Sequence, residues 1–219
     1  PNLWLLQGGT VGGGSTMKWF EEQFGETERI AAAKNRTSSF FEMDKKAAEI
    51  PAGSDGVIFL PYMAGERSPI WNQNAKGVYY GFDYSKTRAH FIRATMEGAS
   101  FALQHNLETA EQSGAVVHAL SAIGGAANSR LWTQIKADVT GKKIVVPASD
   151  TATALGAAML AGVGTGIYSS FEQAVKRTIK IQREHVPNQS NYKIYKKMFQ
   201  TYKNLYQRLK GLMCEGEPI

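Results

Sequence analysis

Cysteine is almost absent from this chain. The single thiol, Cys214, cannot close an internal disulfide or build a cysteine metal site. That usage suits a reducing compartment, so a cytoplasmic location is expected. No apolar run approaches the ~18 residues that a membrane span needs, and no charged-then-apolar leader opens the chain; no membrane partner is expected. The GxxxxGK[ST] phosphate loop is missing, as is the GxGxxG dinucleotide fingerprint. His90, His105, His118 and His185 lack metal-ligand spacing. Asp44, Asp55, Asp83, Asp138 and Asp150 form no paired-carboxylate pattern. Neither a Ser-His-Asp nor a Cys-His arrangement can be traced, so no metal ligand and no catalytic residue is predicted within the chain.

What is present is an ordinary globular composition. The 219 residues are enough for one large domain or two small ones with a sizeable core. The first residue is Pro1 rather than Met, so a piece of a longer chain is expected. The net charge is +6, and much of the excess lies between Lys193 and Lys210. There the basic residues alternate with Tyr192, Tyr195, Phe199, Tyr202, Tyr206 and Leu209. That spacing reads as a helix with an aromatic core stripe and a solvated basic face. A nucleic-acid surface is the rival reading, ranked last, and no nucleic-acid partner is expected.

Apolar residues and glycines at 3–11 predict a strand ending in a turn. A helix follows, capped by Ser15 or Thr16, with Met17, Phe20 and Phe24 on its buried face and Gly25 as its stop. Residues 38–50 predict another helix, stopped by Pro51. "DGVIFLPYM" reads as a short buried strand and "AGERSPIWNQNAKG" as a loop, in which Glu66 and Arg67 would form a buried ion pair. "VYYGF" resumes as a strand. Residues 85–114 predict a long helix with Phe91, Ala94, Thr95, Gly98 and Ala102 on one face. "AVVHALSAIGG" reads as a buried strand. The next helix carries Leu131, Ile135 and Val139 and ends at Gly141, a fitting C-cap. "KKIVVP" is a short strand, and "DTATALGAAMLAGVG" a helix of small residues suited to close packing. Alternating strands and helices argue for an α/β fold in which helices cover a mixed sheet.

Two glycine clusters sit where a strand end meets a helix start. One is "SAIGGAANSRLW", with Gly124 and Gly125; the other is "QGGTVGGGST", with Gly13 and Gly14. Unpaired N–H groups and a positive dipole end favour anions at such a junction. Glycine also lets a ligand approach the backbone. Asn128 or Ser129 could cap the helix or reach a ligand hydroxyl. A tight turn explains the same letters for the first cluster, and a flexible loop for the second.

In this order the segments resemble the C-terminal domain of the FGGY family of carbohydrate kinases over nearly the whole chain. Residues 59–82 look like the family's central block. Gly77, Tyr79, Gly81, His90, Phe91, Ala94 and Glu97 follow its signature, with Phe82 where an aliphatic is usual. "GGAANSRLWTQIKADVTGKKIVVP" resembles its adenosine segment, with Ala126 and Asn128 at positions where members often differ. The resemblance implies one domain over residues 1–219, with the ribonuclease-H-like core of actin and Hsp70-type ATPases. It also implies a missing N-terminal sugar-binding domain as partner and, as an open option, a homodimer.

The implied reaction is ATP-dependent phosphorylation of a sugar hydroxyl with Mg²⁺. Xylulose is the favoured acceptor and gluconate the alternative; "ERSPIWN" and "AKGVYYGF" look like those branches. By resemblance, Gly14 and Lys18 lie near the nucleotide phosphates and Gly125 and Ser129 near the adenosine, with Gly13, Gly124 and Asn128 adjacent. The family's general-base Asp, in a Gly-Asp motif, and its Gly-Thr-Ser hairpin are expected upstream of Pro1, so the chain alone is expected to be inactive. A non-catalytic, actin-like nucleotide-binding module is the alternative of another class.

Overall fold

Helix α4 (Arg88–Gln112) forms the axis of the core. It opens with a reciprocal cap: Thr87 N–H donates to His90 Nδ1 at 3.0 Å, and the Thr87 side chain accepts from the His90 backbone. Residues 92–102 of α4 are buried on all sides. Gly98 is required there, because a Cβ would lie 2.3 Å from the Phe59 carbonyl oxygen of β1 (Ile58–Pro61). The computed structural model describes residues 5–148 and 151–213; Asp150 and Cys214 lie outside them.

A buried charged pair ties α4 to its neighbours. Arg93 Nε donates to Glu97 Oε1 at 2.8 Å, and the guanidinium also reaches the Ala47 carbonyl and Tyr195 Oη. Glu97 accepts further from Gly53 N–H, Ser54 Oγ and Tyr195 Oη. Burial pushes the Glu97 carboxyl up from its ordinary pKa, and Arg93 and these donors act against that rise. The network joins α3 (Ser39–Ala48), the 53–54 turn and α8 (Gln189–Leu209) to α4. Along α8, Tyr195, Phe199, Tyr202 and Tyr206 are buried as the stripe predicts, and Tyr62 Oη donates to Tyr202 Oη at 2.6 Å. Lys193, Lys196, Lys197 and Arg208 face out.

Two small sheets flank this core. β1 pairs antiparallel with β2 (Gly77–Tyr80). β3 (Ala119–Ser121) pairs parallel with β4 (Lys143–Pro147), which pairs antiparallel with β5 (Ile181–His185). The parallel step crosses through α5 (Arg130–Thr140), whose C-cap Gly141 adopts φ +66°. The fold is therefore α/β, with a mixed sheet and helices.

Several expectations fail locally. No strand forms over residues 5–10, because Gly9 O accepts from Ser68 N–H and Val11 N–H donates to Glu66; a loop takes the bonds that a ladder would. β3 is three residues long and largely exposed, not a buried strand. Helix α6 (Ala152–Gly164) is not closely packed along its length: Gly156 has nothing near its Cβ position, and only Gly162 closes, against Tyr168. Glu66 does not pair with the Arg67 guanidinium; it accepts from Thr10 Oγ1 at 2.6 Å and from the Arg67 backbone at 2.7 Å. Helix α1 (Gly14–Phe24) is preceded by Gly13 and has no side-chain cap, so neither Ser15 nor Thr16 serves as one. Helices α2 (Glu26–Asn35) and α7 (Phe171–Thr178) and strand β5 were not anticipated from pattern.

Candidate functional site

The two glycine clusters converge. Gly14, the first residue of α1, and Gly125, in the 3-10 turn Gly125–Asn128, line one cleft of about 590 Å³. Added Cβ atoms at Gly13, Gly14, Gly124 and Gly125 would meet no neighbour within 4 Å, so the backbone there is open. Gly124 takes φ +81° with ψ −178°, a conformation suited to glycine. The α1 N-terminus has no acidic residue in its first turn. Its uncapped N–H groups and dipole therefore form a positive end available to an anion.

The cleft walls are apolar with a few polar groups. Met17, Phe40, Phe41, Met96 and Trp132 supply flat and flexible surface, and Ser38, Asn128 and Ser129 supply hydrogen-bonding groups. Phe40 and Phe41 are half exposed on the first turn of α3, which Ser38 caps. Such a mixture and volume suit a planar heterocycle with one polar edge. Trp132 is fixed from behind: its indole N–H donates to Met96 O at 2.8 Å. Lys136 Nζ sits 4.4 Å over the same indole, and burial lowers its pKa to about 8.

Ser129 settles into the capping role, accepting from Trp132 N–H at 2.9 Å. Asp44 is the carboxylate of the cleft lining. Burial raises the Asp44 pKa, and Ser129 acts against that shift. Thus Gly14, Gly125, Asn128 and Ser129 share the cleft, with Gly13 and Gly124 next to them in the chain. Lys18 is not brought there; its side chain is 71% exposed and pairs with Glu22 at 3.7 Å, one turn further along α1. Phe40, Phe41 and Asp44 were missed. Their signal was two adjacent phenylalanines at a helix start, more aromatic surface than one buried face uses.

The model for the C-terminal domain of the FGGY family of carbohydrate kinases matches residues 1–165. The chain belongs to the FGGY family. It is 33% identical over 205 residues to a xylulose kinase of Bacillus subtilis (strain 168), covering 94% of this chain and 39% of that protein. It is 32% identical over 209 residues to a gluconokinase of the same strain, covering 95% and 40%. The crystal structure of xylulose kinase from Rhodospirillum rubrum superposes with TM-score 0.79 at 28% identity, over 91% of this chain and 38% of that one. The chain therefore spans about two fifths of the length of these relatives. Its fold is the actin- and Hsp70-like ATPase fold of FGGY kinases. Among the described residues no helix is long and apolar enough to cross a membrane.

FGGY kinases use ATP with Mg²⁺. The described residues hold no group of three or more acidic, His or Cys side chains suited to a metal ion. These residues do not form a Mg²⁺ cage; such an ion commonly comes with the nucleotide phosphates and its own waters.

Proposed function

We propose that this chain is the nucleotide-binding half of an ATP-dependent carbohydrate kinase, with xylulose as the first candidate acceptor and gluconate the second. The convergence of Gly14 and Gly125 on one apolar-walled cleft carries the reading. The base would lie against Phe40 and Phe41, with Asn128, Ser129 and Asp44 along its polar edge or the ribose. The phosphates would meet the uncapped start of α1. The xylulose kinase and gluconokinase relatives support the choice of acceptors.

In this reading the chain's residues bind and orient the donor. Phosphoryl transfer rests on positioning and charge neutralisation, and it needs a group that orients the acceptor hydroxyl. No Gly-Asp motif occurs in the sequence. The chain alone should therefore bind nucleotide but not transfer phosphate. A coupled ADP-release assay with Mg-ATP and xylulose or gluconate tests both halves, run beside a calorimetric titration with ADP. The reading expects ADP binding and no sugar-dependent turnover. Turnover by the chain alone would contradict the inactive-half reading, and absence of ADP binding would contradict the nucleotide site.

A further inference from the structure

A second cavity, of about 450 Å³, is lined by Val11, Glu66, Arg67, Trp71, Gln73 and Asn74 among others. Val11 is three residues before Gly14, which lines the first cleft. The loop carrying the other residues is held rigidly. Glu66 and Asn72 exchange backbone hydrogen bonds of 2.8 and 2.9 Å, and Trp71 N–H donates to Arg67 O at 2.6 Å. Asn72 Nδ2 donates to Tyr206 Oη at 3.0 Å, anchoring the loop to α8. Gly65, at φ +75°, passes so close to Gln73 O that a Cβ would lie 2.6 Å from it.

This frame displays groups that the chain does not satisfy. Trp71 is 71% exposed and sits at φ +46°, a conformation that a bulky side chain rarely adopts. Arg67 is exposed, and among the described residues its guanidinium has no ion pair or hydrogen bond. The side-chain amides of Gln73 and Asn74 likewise make no hydrogen bond there. An aromatic face suits the C–H surface of a carbohydrate. Amides suit hydroxyls, and a free guanidinium suits a carboxylate or phosphate.

We propose that the Arg67–Trp71 cavity is a binding site for a polyhydroxylated ligand bearing an anionic group. Trp71 is its platform and Arg67 its anion contact. The assignment deepens the kinase reading and rests on it: it gives an acceptor or product a site whose lining residue Val11 lies three positions before Gly14 of the nucleotide cleft. The anion could be the carboxylate of a sugar acid or the phosphoryl group of a phosphorylated sugar.

The test is a calorimetric titration of the full chain with D-gluconate, D-sorbitol 6-phosphate, neutral D-sorbitol and, separately, ADP. Arg67→Met and Trp71→Ala are compared with Arg67→Lys. At least one anionic polyol should bind, and more tightly than D-sorbitol. Its Kd should rise at least tenfold in Arg67→Met and at least threefold in Trp71→Ala, less in Arg67→Lys, with ADP affinity unchanged as the folding control. The tighter of the two anions then identifies the source. No binding of either anion by the parent chain, unchanged binding in both variants, or equal binding of sorbitol would overturn the assignment. ADP binding without polyol binding would sink this proposal and leave the nucleotide site standing. Polyol binding without ADP binding would do the reverse.

Discussion

Gly14 and Gly125 line one cleft, although the first opens helix α1 and the second a turn beyond β3. Neither glycine is packed against anything, which separates them from glycines that the fold itself requires. Open backbone at two junctions facing one cavity is the pattern of a ligand seat.

The aromatic wall predicts a division of binding energy. Phe40 and Phe41 are 44% and 51% exposed, so their truncation should spare the core. Phe40→Ala and Phe41→Ala should each weaken ADP binding about five- to tenfold, the scale of ~1 kcal/mol for an aromatic stack. Pyrophosphate, tested as a competitor, should bind the variants and the parent alike.

A methyl group at Gly98 should be costly. It would approach Phe59 O to 2.3 Å, where α4 crosses β1. Gly98→Ala is expected to lose about 1–3 kcal/mol of stability in urea unfolding, the usual range for overpacking. Gly125→Ala, with nothing within 4 Å of its Cβ, should change stability little.

Removing one partner of the buried pair should do more harm than removing both. Glu97→Ala leaves the Arg93 guanidinium buried without its carboxylate and should cost about 3–5 kcal/mol. Arg93→Met with Glu97→Leu should recover much of that loss, as read from urea midpoints.

Acid sensitivity should trace in part to Glu42. Hydrogen bonds from Thr37, then Asn35, then Lys45 lower its pKa from 4.5 to about 2. A carboxyl with a lowered folded pKa stabilises the fold above its unfolded value and loses that contribution as pH falls toward the folded one. Its contribution is therefore present above pH 4.5 and fades between 4.5 and 2. In Thr37→Val the Glu42 midpoint, followed by carboxyl ¹³C shifts, should rise toward 4.5. Stability should then fall less between pH 6 and pH 3. An unchanged midpoint would refute the assignment.

Much of the fold was legible because local patterns and packing agreed. Tyr195, Phe199, Tyr202 and Tyr206 are an i, i+3/i+4 stripe, and they are buried. Gly141 at a helix end is left-handed, as its position suggests. The glycine clusters were legible as backbone openings, but their meeting in space was not, since nothing local encodes it. Asp44 looked solitary because Ser129, which lines the same cleft, lies 85 positions further along the chain. Lys18 was placed by family resemblance; its side chain is exposed and pairs with Glu22, one turn along α1 from Gly14. The strand expected at residues 3–11 is absent over the described residues because Glu66 and Ser68, far along the chain, take its backbone bonds.

The most direct test of the nucleotide site is a calorimetric titration of the chain and of Gly125→Val with Mg-ADP. The valine would project into open space, so the variant should keep its far-ultraviolet circular dichroism and thermal midpoint. The expected result is binding by the parent and a Kd at least tenfold higher in Gly125→Val. Equal binding by both proteins would show that the Gly124–Gly125 turn is only a tight connection and would contradict the site.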